Sequence, residues 1–188
     1  MGRSWIIGVG VVLTTAAAVS GGVAAAKPLE KGDIHDEFSF EEEDFCEVEG
    51  LTVQIDVVVD GRFSAKTHGK NGLVYFAEHL RVARTFTNVG NGDVVTSLDK
   101  VLNKDLKVFD NGDGTLTVIL LATGNATIYD ASGKAIGRNP GQVRFEFLVD
   151  HAGTPGDPSD DVLISEELIK GSTGRSDDFC TVVVPALS

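Results

Sequence analysis

The stretch LTVQIDVVVDGRF, residues 51–63, sets Val53, Ile55, Val57 and Val59 at alternate positions with Gln54 and Asp56 between them. Successive side chains leave a strand on opposite sides, so β-branched residues in a period of two mark a strand with one buried face. Asp60-Gly61 follows, a pair favoured in two-residue hairpin turns because glycine takes positive φ without steric cost. Phe63, Ala65 and Thr67 then begin the expected return strand.

Outward from this stretch the same grammar repeats. Val74–Val89 carries aromatic and β-branched residues and runs to the turn signal Asn91-Gly92. Val94–Phe109 runs to DNGDG (110–114), and TLTVILLATG (115–124) is followed by NATIYD and the turn ASGK (131–134). The break NPG (139–141) precedes QVRFEFLVD, in which Val143, Phe145, Phe147 and Val149 share one face. Frequent turn signals and few helical patterns predict an all-β antiparallel meander. An open sheet invites pairing with other chains, so a closed β-barrel is the expected architecture, with a β-sandwich as the alternative. Two segments fit a strand or a helical turn equally: Tyr75–Ala83, and Asp160–Lys170 with its Glu166–Lys170 spacing.

Residues 1–26 read as a signal peptide: Arg3, an apolar run from Trp5 to about Val19, and the small-residue site Ala24-Ala25-Ala26. Residues 27–43 read as an acidic N-terminal arm, with a first strand over Phe38–Val48, and residues 44–188 as a single domain. The leader takes Arg3 with it, so the formal charge of −12 becomes −13 in the mature chain. Such acidity argues against nucleic acid, whose affinity rests on Lys and Arg neutralising phosphates, and against stable membrane association after cleavage. The expected location is extracellular. No residue pattern sets an oligomeric state.

The tripeptide Asp-Phe-Cys occurs twice, and its cysteines, Cys46 and Cys180, are the two in the chain. In an exported protein the pair predicts a disulfide, joining the first strand to the last. Neither a Cys-x-x-Cys spacing nor accompanying His ligands suggests redox or zinc chemistry. The loop Asp150–Asp161 holds Asp157, Asp160 and Asp161; it reads as a Pro-stiffened surface loop, with weak calcium binding as the alternative. DNGDG reads as a glycine turn, since it lacks the full calcium-loop pattern. His35, His68, His79 and His151 stand in no ligand motif, and no nucleophile elbow occurs. The remaining candidates are aromatic. Tyr75, Phe76, Phe86, Tyr129, Phe145 and Phe147, with Phe109, alternate with aliphatic residues and either fill a barrel interior or line a pocket for one small apolar ligand.

The run from Asp105 to Asp161, followed by KGSTGRSDDFC (170–180), resembles a set of uncharacterised secreted proteins of high-GC Gram-positive bacteria. That resemblance implies no activity, cofactor or site. The strand order is more remotely similar to the allene oxide cyclase, dirigent and lipocalin barrels, at the level of fold alone. The leading expectation is a non-catalytic extracellular binding protein, with a small apolar molecule in the barrel as its most concrete form. The alternatives are an enzyme of the cyclase or isomerase kind and an extracellular protein-interaction module. No resident cofactor is implied beyond weak calcium.

Overall fold

The computed structural model describes residues 28–69, 72–172 and 174–188. Residues 1–26, read from the sequence as a signal peptide, lie outside these residues. Seven strands form one antiparallel sheet in chain order: β1 (Pro28–Glu42), β2 (Val53–His68), β3 (Leu73–Asn88), β4 (Val94–Asp110), β5 (Thr115–Tyr129), β6 (Ala135–Asp150) and β7 (Val162–Lys170). The meander is as expected, and β1 and β7 are its two edges, so the sheet is not closed. Tyr75–Ala83 lies within β3 and Val162–Lys170 is β7, which settles both ambiguous segments as strands. Among the described residues no helix is long and apolar enough to cross a membrane.

Two breaks in the expected pattern, and a glycine between two expected runs, prove to be strand interiors. Asp60-Gly61 is no hairpin turn: β2 runs through it for 16 residues and turns only beyond His68. Gly124 and Gly141 likewise sit inside β5 and β6. The ladders place them in one row across the sheet, Gly61–Leu80–Val101–Gly124–Gly141. A Cβ on Gly61 would collide with the carbonyl oxygen of His79, and one on Gly141 with Ser172 Oγ. On Gly124 it would come within 3.2 Å of the Lys100 carbonyl oxygen. These glycines are needed for close backbone approach along a crease, the use a sheet makes of glycine at a sharp bend. Pro140 is tolerated beside the crease because β7 pairs with β6 only from Arg144 onward, leaving that part of β6 as an edge.

The acidic arm is also a strand. Pro28–Glu42 pairs with β2 along nearly its whole length, so the expected strand over Phe38–Val48 begins earlier and stops at Glu42. Ile34, Phe38 and Phe40 lie directly opposite Gly61, Val57 and Ile55 of β2 and share their face, a short apolar alternation hidden among many carboxylates.

Each half of the sheet has its own core. On one side of the crease, Val53, Ile55, Val57, Val59, Val82, Phe86, Val95 and Ile128 pack under a cap made by the β1–β2 connection and the C-terminal segment. The cap consists of the 3-10 turn Phe45–Glu47, the short helix α1 (Phe179–Val183) and the turn Val184–Ala186, and it buries Phe45, Val183 and Leu187. Cys46 and Cys180 form the expected disulfide. The bond joins the 3-10 turn to α1 rather than first strand to last, because the chain leaves the sheet before each cysteine. The two Asp of the repeated tripeptides hold these elements: Asp44 accepts the Gly50 N–H, and Asp178 caps α1 by accepting the Thr181 N–H. On the other side of the crease, Leu73 packs with Val108 and Leu116, flanked by Tyr75, Val118 and Val149.

Candidate functional site

The face that carries the first core continues past the crease with a different character. Direct cross-strand partners share a face, and one row of them runs Phe63–Glu78–Asn103–Ala122–Val143. The next runs Asp105–Leu120–Phe145–Leu168. Asn103 Nδ2 donates to Glu78 Oε1 at 2.7 Å. On the capped side of the same face, Arg84 is paired with Asp99, both largely buried, and Asp99 Oδ1 has no partner.

Asp105 has a local reason to be where it is. The β3–β4 ladder ends at Ala77–Lys104, and β4 bulges between Asp105 and Lys107. The next amide of β3 would lose its partner there, and Asp105 Oδ2 accepts the Phe76 N–H at 2.7 Å instead. Burial pushes the Asp105 carboxyl up to about 6, against the opposing pull of that amide. The folded chain therefore holds this proton more tightly than the unfolded chain, and stability falls as pH rises from about 4 to about 6. The ionised group then costs up to about 3 kcal/mol at neutral pH, the free energy of a two-decade change in proton affinity. Asp105→Asn keeps the acceptor and removes the charge. It is expected to stabilise the fold by on the order of 1–3 kcal/mol at pH 7.5 and by little at pH 4. Urea unfolding of both proteins at the two pH values measures this, and an equal difference at both would show that burial does not raise the Asp105 carboxyl.

The six aromatic candidates do not form one lining. Phe86 is buried in the capped core against Phe45 and Phe179. Phe76 stacks on Phe63, and Phe145 stacks on Phe147 at 6.1 Å. Tyr75 packs in the second core beside His68, and its hydroxyl accepts the Val108 N–H. Tyr129 pairs with Thr96 on β4 and lies on the opposite alternation from Ile128. Phe76, Phe145 and Phe147 remain on the face that carries Glu78, Asn103 and Asp105, because the cap and the second core absorb Phe86 and Tyr75. Phe109 is half exposed at the end of β4.

The acidic loop is held by its own carboxylates. Asp157 accepts the Ser159 N–H, and Asp160 accepts the Thr154 hydroxyl. Burial, with Asp160 alongside, raises the Asp161 carboxyl above its ordinary range. His151 is buried nearby with Nδ1 unpartnered. Among the described residues no three His, Cys, Asp or Glu side chains are grouped to hold a metal ion.

The edges differ from each other. β1 carries Glu30, Lys31, Asp33, Asp36, Glu37, Glu41 and Glu42, a charge density that discourages strand addition. β7 is exposed over its whole length and presents Val162, Leu163, Ile164, Leu168 and Ile169, between 44% and 62% accessible. Its apolar residues were legible in the sequence; their exposure was not, since alternation alone reads as burial. The chain matches no family model, no curated protein and no solved structure.

Proposed function

We propose that the protein is a non-catalytic extracellular binding protein that takes an extended segment of a partner protein along the free edge of β7. The observation that carries this reading is the contrast between the two edges. Natural sheets blunt exposed edges with charge, proline or bulges, and β1 is so treated, whereas β7 offers unpaired backbone groups flanked by five exposed apolar side chains. Strand addition draws affinity from main-chain hydrogen bonds and specificity from alternate side chains. Glu166 and Glu167 sit at the middle of β7, so the complementary segment is apolar at both ends and carries Lys or Arg at its centre. An added strand extends the sheet toward the closed barrel expected from the sequence. The leader at residues 1–26 and the Cys46–Cys180 bond support an oxidising, extracellular setting.

The test is a labelled peptide of alternating Val and Ile with a central Lys pair, titrated into the whole protein. Binding is expected, and it should weaken roughly tenfold or more in the Ile164→Lys/Leu168→Lys variant, which restores the charge that edges normally carry. A peptide with prolines at alternate positions, lacking the needed N–H groups, should not bind. Equal binding of the proline peptide would rule out strand addition.

A second reading rests on Phe145 and Phe147, stacked beside the Asp105–Leu120 row: a small apolar molecule held on that face. Native mass spectrometry of protein purified from its own culture medium distinguishes the two, because only this reading requires a co-purifying small molecule.

A further inference from the structure

The opposite face of the crease carries a shallow, open groove of about 680 Å³ whose charged side chains are exposed. Two rows of cross-strand partners form its walls. One is Asp60–Arg81–Lys100–Asn125, and the other is Asp33–Arg62–His79–Leu102–Thr123. Alternate residues of a strand point to opposite faces, so these side chains stand on the face opposite the capped core.

One pair of charges in this groove is arranged against stability. Arg81 and Lys100 lie directly opposite each other on β3 and β4, a like-charge pair that destabilises a sheet. Arg62 adds a third cation on β2. Asp60 stands directly opposite Arg81, yet its carboxylate is held by His35 Nδ1 at 2.8 Å. Among the described residues none of the three cations forms an ion pair. In a chain of formal charge −12, a groove lined by three cations against two carboxylates, with an Arg and a Lys facing each other, is a local excess of positive charge.

We infer that this groove binds a carbohydrate segment bearing carboxylate or sulfate groups. The cations repeat from strand to strand at about 5 Å, and the groove crosses five strands, roughly 19 Å, which is too long for a single small anion. Of the cations only Arg62 lies toward an end, beside Asp33 and Asp60. Asp33 and Asp60 accept hydrogen bonds at one end, while Thr123 and Asn125 both donate and accept at the other. Sugar hydroxyls suit both ends, and anionic groups suit the middle. A uniform polyanion would meet the carboxylates and the overall negative field. The site is independent of the β7 edge and of the Phe145–Phe147 face.

Titration of the whole protein with an oligogalacturonate and with a heparin-derived oligosaccharide, against a neutral glucose oligomer of equal length, tests the inference. Binding of either anionic sugar is expected, and which one binds separates carboxylate from sulfate recognition. Binding should weaken between 50 and 300 mM salt and fall roughly tenfold or more in Arg81→Gln/Lys100→Gln. That variant should melt no lower than the parent, since it removes a repulsion. Binding to neither anionic sugar would overturn the inference. So would equal binding of the neutral oligomer or of poly-glutamate, or undiminished binding by the folded double variant.

Discussion

Reduction of the Cys46–Cys180 bond, or Cys46→Ala/Cys180→Ala, is expected to remove on the order of 5 kcal/mol of stability. The bond closes a loop of 134 residues, and the chain-entropy relation gives about that figure for such a loop. Domains of this size are stable by only about 5–15 kcal/mol, so the loss is a large share of the whole. For a chain of this length it corresponds to a fall in Tm of about 10–20 °C. Backbone geometry moderates the effect: Asp44, Cys46 and Glu47 adopt φ of 51°, 57° and 63°, in the left-handed region that side chains disfavour. Any of that strain released on reduction subtracts from the loss. Thermal melts with and without reductant make the measurement, beside thiol labelling of the unreduced protein. A Tm unchanged by reduction would mean that the cap is held by packing alone, and two reactive thiols would mean that the bond is absent.

Much of the strand content was legible because the alternation of residues 51–59 recurs, and the true turns announce themselves locally. Gly92, Gly112 and Gly133 take φ of 80°, 76° and 83°. Asp110 and Asp130 accept amide hydrogens two residues on, from Gly112 and Ser132, so these turns contain their own cause. Gly61 and Gly141 looked the same in the sequence and, with Gly124, mean something else. None has positive φ, and each exists for a carbonyl or hydroxyl brought to it by a residue distant in the chain. A crease is a property of register across strands, and a single strand does not display it. The polar arm was misread for a related reason: β1 is specified by its partner β2 more than by its own composition.

The site was less legible than the fold. Of the aromatic candidates Phe86 and Phe145 are buried, Tyr75, Phe76, Tyr129 and Phe147 half-buried and Phe109 exposed, and alternation leaves the same trace in the sequence for all of them. The groove cations were invisible as a group, since Arg62, Arg81 and Lys100 are brought together only by the ladders. Asp105 was invisible because its role depends on where the β3–β4 ladder stops.

Phe86→Ala is expected to cost about 3–5 kcal/mol, in the range for a buried aromatic cut to a methyl group. Phe86 is 4% exposed, and its ring lies 5.9 Å from Phe45 and 5.4 Å from Phe179, the two Phe that precede the cysteines. Phe45 and Phe179 also meet edge to face at 6.2 Å. The substitution therefore does more than leave a void in the sheet, because it removes the surface on which the β1–β2 connection and the C-terminal helix are seated. Tethering by the disulfide and seating on Phe86 act on the same elements, so their effects should not add. With the bond already lost, the cap is partly free, and Phe86→Ala should then cost at least about 1 kcal/mol less than in the oxidised protein. Two polar ties oppose complete release, since Asn88 and Asn91 both donate to the Leu187 carbonyl oxygen at 2.7 and 3.1 Å. A double-mutant cycle of Phe86→Ala with Cys46→Ala/Cys180→Ala, read by urea unfolding, gives the coupling directly. Strict additivity would separate the aromatic seat from the clasp and make the paired Asp-Phe-Cys elements two features rather than one.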